Sequence, residues 1–243
     1  MPRPQALPRT VATDADARPV PAGRAGAGPA GDREAGTGAG RREAGRARKR
    51  RAILDAARTE FVRHGLQGAS MQAIADRAGL PKANVHYYFG SKEKLYRALL
   101  GEILHVWNDF LADITVDDDP AEVLERFIRQ KIRLARDEPE ASRLFAQEII
   151  QGAPHLKAHL GGELRAWLRD KSRVIDGWVA AGRMDPVDPA LLIFMIWSTT
   201  QHYADFEAQV LILTNRREYE DDMIEQVGDF LSRVILKGCG VRP

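Results

Sequence analysis

Between Ser70 and Leu95 the sequence places amide, imidazole, phenol and ammonium groups close together on a short predicted helix. An asparagine side chain can make a bidentate contact to adenine in the major groove, whereas tyrosine and lysine side chains suit phosphate oxygens. This chemistry predicts contacts to nucleic acid. With two cations from the basic run upstream, the candidate DNA-binding residues are Arg48, Lys49, Met71, Lys82, Asn84, His86, Tyr87 and Lys92.

A helix-turn-helix could hold these side chains at the major groove, and the sequence contains the capping and turn residues typical of one. Ser70 can cap a first helix, Gly79 suits a sharp turn, and Pro81 suits the opening turn of the next helix. The second of two short helices joined in this way fits the major groove of B-DNA. The alternative that spacing leaves open is an ordinary helical hairpin with a polar outer face.

The charge of the chain is unevenly placed. Residues 41–97 carry 14 Lys or Arg against 5 Asp or Glu, whereas residues 98–243 carry 17 against 25. A basic head on an acidic body is the outline expected of a protein that touches DNA at one end. Arg41–Arg51 is predicted to be a basic arm for phosphates or the minor groove. A basic tail with no role in nucleic-acid binding is the alternative.

A second set of side chains suggests a small-molecule site. Trp197 and Gln201 lie four residues apart, so they share one face of a predicted helix. An indole face can stack on a flat heterocycle, and a glutamine amide matches the N–H and C=O of an imide or lactam. Polar groups pairing within a dimer seam are the alternative. The candidate ligand-binding residues are Trp107, Phe110, Phe145, Trp167, Trp178, Trp197 and Gln201.

The hydrophobic pattern predicts helices throughout and no strand, with a rod over residues 91–112 joining head and body. Residues 156–181 are predicted to form one long helix, and residues 189–213 a helix that is buried on all sides. The last two helices carry more apolar surface than one small body can cover. They predict a four-helix dimer interface, and a dimer can read a palindrome with half-sites about 34–36 Å apart.

Catalytic and metal chemistry lack a signature. His155, His159 and Glu163 share a helix face but do not form an H-E-x-x-H motif, and the adjacent carboxylates of Asp117–Asp119 lack EF-hand spacing. We therefore expect no metal, no cofactor and no enzyme activity. The single cysteine, the absence of a signal peptide and the lack of an apolar run of about 18 residues predict a cytoplasmic protein without a membrane span.

The head resembles the TetR family of bacterial transcriptional regulators. Two departures matter, because Ala83-Asn84 stand where a Gly-Thr pair is common and His86 stands where a tyrosine is frequent. These positions face the bases, so the operator cannot be taken from the family average. The resemblance lies in Phe61, Gly65, Ile74-Ala75, Ala78-Gly79, Tyr87-Tyr88-Phe89, Ser91-Lys92-Glu93 and Leu95-Tyr96.

From about Arg51 to Gly238 the chain is similar to the pyrimidine-utilisation branch of that family. The resemblance implies that uracil or thymine is the effector and that Trp197 and Gln201 contact it. The matching stretches are Glu140–Phe145, Gly152-Ala153-Pro154, Lys171-Ser172, Gly177-Trp178-Val179, Met195-Ile196-Trp197 and Thr200–Phe206.

Together these features predict an all-α homodimeric regulator, expected to be a repressor, that binds a palindromic operator in double-stranded DNA and responds to a small molecule, with a pyrimidine as the candidate. The predicted division is a disordered tail over residues 1–40, a helix-turn-helix DNA-binding domain over 41–97, and a helical effector-binding and dimerisation domain over 98–238. A different effector, or a helical carrier or enzyme without a DNA role, is the alternative.

Overall fold

Every regular element is a helix in the computed structural model, which describes residues 35–241 and the side chains from residue 40 onward. The all-α prediction is therefore confirmed for this part of the chain. The helices are α1 (Ala35–Gly68), α2 (Met71–Arg77), α3 (Lys82–Phe89), α4 (Lys92–Asp109), α5 (Pro120–Asp137), α6 (Pro139–Ile150), α7 (Lys157–His159), a π-helical turn (Leu160–Leu164), α8 (Arg165–Ala180), α9 (Pro189–Asp205), α10 (Glu207–Leu213) and α11 (Asp221–Gly238).

The predicted basic arm, Arg41–Arg51, is helical. It belongs to α1, which stays helical until Gly65 adopts a φ of 64° that favours glycine. Of the tail predicted to be disordered, residues 1–34 lie outside the described residues, and residues 35–40 are helical. From Gly45 onward the chain forms one compact unit.

Two apolar clusters form the interior. The first joins the helix-turn-helix to α4 and α6, through buried side chains such as Phe61, Leu99 and Leu144. The second surrounds α5 and includes Phe127 and Ile196. The predicted domain boundary after residue 97 falls inside α4, and all the buried side chains of that helix belong to the first cluster. The connecting helix is thus packed as part of the head.

The predicted helix over residues 156–181 is interrupted. A three-residue α7 passes into the π-helical turn, and regular α-helix resumes only at Arg165. Gly161 and Gly162 occupy this turn, and glycine is among the weakest helix formers. The prediction of one continuous helix is therefore wrong. The turn brings Leu164 to the edge of the site described below.

The predicted helix over residues 189–213 also divides, because α9 ends at Asp205. Arg143 on α6 donates a 2.9 Å hydrogen bond from Nε to the carbonyl of Ala204 and pairs with Glu207, while Ser142 donates a 2.6 Å bond to Asp205. These contacts bind α6 to the end of α9 and satisfy a terminal carbonyl that the helix leaves free. Phe206 then has non-helical φ and ψ of −118° and 28°.

The prediction that this helix is buried on all sides is wrong for the single chain. Large apolar side chains on α9 and α11 face outward, although both helices pack on α5 through their opposite faces. A surface of this kind marks an interaction site in proteins that are otherwise polar outside. The exposed side chains on these helices are Leu191, Phe194, Met195, Phe230 and Val234.

Among the described residues, none of the helices has the length and apolar character needed to cross a membrane.

Candidate nucleic-acid interface and effector site

The helix-turn-helix is built as its residues predict. The Ser70 hydroxyl accepts a 3.0 Å hydrogen bond from the backbone N–H of Ala73, which caps α2. Gly79 takes a φ of 65°, and Leu80 then donates its N–H back to the carbonyl of Ala75 at 3.0 Å. Pro81 precedes α3. The turn needs glycine because side-chain-bearing residues are strained at this φ.

The recognition helix α3 buries one side and presents the other. Val85 and Phe89 enter the first apolar cluster, whereas Lys82, His86 and Tyr87 are exposed. Asn84 is partly exposed, and Tyr87 reaches 73% exposure, which is unusual for a large aromatic side chain. The outward face therefore carries the polar side chains that the sequence assigned to DNA.

Basic side chains of α1 lie beside the same helix. The guanidinium of Arg46 is 6.0 Å from the centre of the Tyr87 ring, and that of Arg50 is 5.6 Å from the Phe89 ring. Arg48 and Lys49 are exposed. Sequence reasoning omitted Arg46, although it lies in the same basic run. These cations extend the surface available to phosphates along α1.

Two residues of the predicted DNA-binding set have other roles in this structure. Met71 is only 8% exposed and packs in the first apolar cluster, so its side chain does not face solvent. The ammonium of Lys92 donates hydrogen bonds to the carbonyls of Gln67 and Ala69, at 3.1 and 2.9 Å. Met71 is therefore withdrawn from the set. Lys92 contributes positive charge while it closes the end of α1.

Four of the seven predicted effector residues, Trp107, Phe145, Trp197 and Gln201, line a small cavity of about 20 Å³. Trp107 and Phe145 meet edge to face, with their ring centres 5.1 Å apart. Trp197 stacks on Trp167 at 5.9 Å, so Trp167 supports the wall from behind. The lining residues are Leu104, Trp107, Asn108, Phe145, Leu164, Trp197 and Gln201.

Besides Trp167, two predicted ligand-binding residues are outside the lining of this cavity. Trp178 is 0% exposed and belongs to the core around α5, and Phe110 packs partly buried against that same core. Neither side chain lines the space beside Gln201. We therefore withdraw both from the predicted set. Aromatic residue type identified them, but their helical positions turn them toward α5.

A second cavity of about 10 Å³ adjoins the first, because Trp107 and Gln201 line both. It contains a residue that sequence reasoning missed. Lys131 is 3% exposed, and its ammonium lies 4.1 Å from the centre of the Trp107 ring. Phe127, Ile128, Lys131, Ile132 and Ala135 follow the spacing of the buried face of α5, so a lysine within an apolar stripe was the signal.

Burial lowers the pKa of Lys131 to about 7, and the nearby carboxylate of Asp205 opposes this effect. Burial likewise raises the pKa of Asp205, against the hydrogen bond from Ser142 and the charges of Arg143 and Lys131. The cavity thus holds a weakly solvated cation next to a carboxylate. Such groups mark candidate binding sites because their charges are poorly compensated.

The histidines with metal-like spacing point to different partners. His155 Nδ1 lies 3.2 Å from Glu148, whereas His159 Nδ1 lies 3.2 Å from Glu163. In the part of the chain that is described, no group of three or more His, Cys, Asp or Glu side chains is placed to hold a metal ion. Asp119 instead caps α5 by accepting from Ala121 at 2.7 Å.

Two sequence families match consecutive parts of the chain, and the boundary between the matches lies within α4. Residues 53–99 match the family described as bacterial regulatory proteins, tetR family, and residues 100–242 match the YcdC-like protein C-terminal region. The chain belongs to the TetR family. It is a DNA-binding transcriptional regulator whose body has the architecture of a ligand-responsive domain.

Two named relatives agree with this assignment. The chain is 43% identical to the HTH-type transcriptional regulator RutR of Escherichia coli K12 over 195 residues, which is 80% of this chain and 91% of RutR. It is 27% identical to the repressor SCO4008 of Streptomyces coelicolor, over 59% of this chain and 72% of that one.

The fold is shared with more distant regulators. A tetR-family protein from Rhodococcus RHA1 has a TM-score of 0.63 at 19% identity, covering 80% of this chain and 98% of that one. AibR, solved with isovaleryl coenzyme A and operator DNA, has a TM-score of 0.57 at 20% identity, covering 76% and 97%. At these identities the likeness establishes the fold alone.

We expect Lys131→Met to stabilise the ligand-free protein. Burial lowers the pKa of Lys131 from 10.5 to about 7 in the folded state, and Ser142 and Arg143 still compensate Asp205 when the ammonium is removed. We therefore expect a net gain of about 1–3 kcal/mol, which corresponds to roughly 3–10 °C in melting temperature for a chain of this size. Because the pKa of Lys131 is lowered, the free-energy cost of burying its charge is complete below pH 7 and decreases as the pH rises toward the pKa of lysine in the unfolded chain. The gain should therefore shrink between pH 7 and pH 9 in thermal melts.

Lys157→Met is the matched control, because Lys157 is exposed on α7. It should change the melting temperature little at any pH. A stabilisation by Lys131→Met that stayed constant across this pH range would show that Lys131 does not pay a charge-burial penalty.

Proposed function

We propose that the protein is a homodimeric repressor that releases a palindromic operator when a pyrimidine, or a related flat heterocycle, binds beside Gln201. The observation that carries this proposal is the position of the Gln201 amide, which lines two adjoining cavities together with an indole face and a buried ammonium.

The chemistry of the lining fits an imide. A glutamine amide can pair with an N–H and the adjacent C=O of such a ring, while the ammonium of Lys131 can donate to a second carbonyl. Trp107 and Trp197 offer faces for stacking. Uracil and thymine carry two carbonyls flanking one N–H, so they match all of these groups. The resemblance to the pyrimidine-utilisation branch points to the same class of ligand.

The cavities are too small for such a ring as they stand. They measure about 20 and 10 Å³, whereas an engineered cavity that holds benzene measures about 150 Å³. Binding must therefore displace a side chain that borders both cavities. Trp107 is the side chain that does so on α4, the helix that packs as part of the head. Ligand entry then moves the element on which the DNA-binding helices rest.

A second link joins the site to the head. Glu138 lines the cavity that contains Lys131, and its carboxylate pairs with Arg58 on α1. Arg58 is mostly buried, so this ion pair is poorly screened by solvent. We propose that ligand binding shifts Glu138 and Trp107 together and changes the separation of the two heads. The ligand lowers DNA affinity only by its differential affinity for the two arrangements.

On the DNA side, the proposed contacts come from α3 and from the basic face of α1. In a dimer two copies of α3 would face successive major grooves about 34–36 Å apart. A regulator of bacterial promoters is expected to act in the cytoplasm, where the DNA is. The side chains that we propose for DNA are Arg46, Arg48, Lys49, Lys82, Asn84, His86 and Tyr87, with Lys92 adding charge.

The effector assignment is tested with Gln201→Ala. Thermal shift against uracil, thymine and other flat heterocycles should identify a ligand of the wild type, because a ligand that binds only the folded state raises its melting temperature. The variant should bind that ligand about 10–100-fold more weakly, since a buried pairing is lost, and should bind the operator as the wild type does.

Gln209→Ala, at an exposed position of α10, is the control and should respond like the wild type. The effector assignment would be lost if Gln201→Ala responded unchanged to every ligand that acts on the wild type. A wild-type affinity for duplex DNA that did not fall steeply with salt would argue against the DNA role itself.

The dimer is tested with Phe194→Glu. Phe194 is 46% exposed at the centre of the apolar face of α9, so a carboxylate there would be buried without a partner in a dimer. We expect the variant to be monomeric by sedimentation at micromolar concentration and to lose at least tenfold in operator affinity. Ile150→Glu, at an 83% exposed position of α6, should remain dimeric. A dimeric Phe194→Glu would move the interface elsewhere.

The coupling route is tested with Glu138→Gln, which removes the charge that pairs with Arg58. Effector binding should persist by thermal shift, while the effector-dependent loss of DNA affinity should shrink at least about fivefold, within the usual range of allosteric coupling. Glu102→Gln is matched, because Glu102 also pairs with an arginine of α1 but lies outside both effector cavities. Equal effects of the two substitutions would exclude a special role for Glu138.

A further inference from the structure

His86 on the exposed side of the recognition helix is held in one orientation. Its ring Nδ1 lies 3.0 Å from the carbonyl oxygen of Gly90, and the N–H of Gly90 donates to the carbonyl of His86 at 2.8 Å. Gly90 can close this reciprocal pair because it takes a φ of 75°, in the region that favours glycine. The imidazole is therefore attached to the end of α3 rather than free to rotate.

This contact determines which ring nitrogen carries the hydrogen. A carbonyl oxygen can only accept, so Nδ1 must be the donor in the bond to Gly90. In the neutral imidazole the other nitrogen, Nε2, then has a lone pair and no hydrogen. The side chain is exposed, so Nε2 is available as a hydrogen-bond acceptor at the outer surface of α3.

Base edges in the major groove distinguish an acceptor from a donor. Adenine N6 and cytosine N4 are the exocyclic amines that donate there, whereas guanine and thymine present acceptors and the thymine methyl. A fixed acceptor is therefore paired with A or C and opposed to G or T. An asparagine differs, because its amide can donate and accept at once.

We propose that His86 is a specificity-determining residue that selects a base with an exocyclic amine, adenine or cytosine, through Nε2. The inference rests on the proposed reading of DNA by α3. Asn84 and His86 are two residues apart and so do not share a helix face. They therefore read different base pairs, and the contribution of His86 is separable from that of Asn84.

The experiment first selects duplexes from a random library with the full-length chain at pH 8, where an imidazole in water is largely neutral. The wild type is compared with His86→Phe, which keeps a ring but removes both nitrogens. We expect the two proteins to select the same half-site except at one position. There the wild type should require A or C on one strand, and so reject the same pairs in the reverse orientation, whereas the variant should not discriminate between bases.

A single-atom change in the DNA then measures the contact. At that position adenine is replaced by purine, or cytosine by 2-pyrimidinone, each of which lacks only the amine. The wild type should lose roughly fivefold to tenfold in affinity, as expected for one hydrogen bond, and His86→Phe should lose nothing further. Lys82→Ala is the control, since loss of a phosphate contact should weaken binding to both duplexes by the same factor.

The outcomes separate this inference from the function on which it rests. Equal binding to both orientations of the base pair at every position sensitive to His86, or an equal loss in wild type and His86→Phe when the amine is removed, overturns the role of His86 and leaves DNA reading by α3 intact. Failure of the full-length chain to enrich any duplex overturns both.

Discussion

The connecting helix α4 must satisfy two parts of the molecule at once. Its buried side chains pack in the cluster that holds the helix-turn-helix, while Trp107, near its end, borders the cavities beside Gln201. Protein interiors are packed as densely as organic crystals, so a side chain cannot be displaced without moving what it touches. The proposed ligand, if it enters beside Trp107, would therefore act on the head through packing and would need no flexible linker.

The charged groups around the proposed effector site carry a burial penalty in the ligand-free protein, which a ligand could reduce. Lys131 is buried on α5, and burial raises the pKa of Asp205 at the end of α9. Neither group is fully compensated, because burial works against the charged form of each. A ligand that offers carbonyl oxygens to the ammonium recovers part of this penalty. That gain shifts the equilibrium only to the extent that the contact with the ammonium forms in one arrangement of the heads and not in the other.

Local chemistry made the head predictable from sequence, and packing made the body harder to predict. Ser70, Gly79 and Pro81 act on their immediate neighbours, so their effects could be derived without knowing the fold. By contrast, the side of the helix on which Trp178 lies depends on α5, which is distant in sequence. Trp178 and Phe110 were assigned to the ligand set because they are aromatic, but their side chains point into the core around α5.

The helix boundaries failed for a related reason. The periodicity of residues 189–213 suits one long helix, but Arg143 and Ser142 from α6 hold the chain where α9 ends. Tertiary contacts of this kind override local propensity. Lys131 was not predicted for a similar reason. A lysine in an apolar stripe is visible in the sequence, but its spatial neighbours Asp205 and Trp107 are known only from the structure.

Polar groups are exposed on the recognition helix and enclosed in the body, and the proposed modes of binding differ accordingly. At α3 the polar atoms are held by the backbone and exposed, as with His86 and Gly90, so a partner finds them already oriented and loses little entropy on binding. In the body they are enclosed in cavities smaller than the proposed ligand. We therefore expect recognition of DNA by α3 to be nearly rigid, whereas the proposed effector could bind only if α4 were deformed. In the proposed route, an effector that moved neither Trp107 nor Glu138 would leave the DNA-binding helices unchanged.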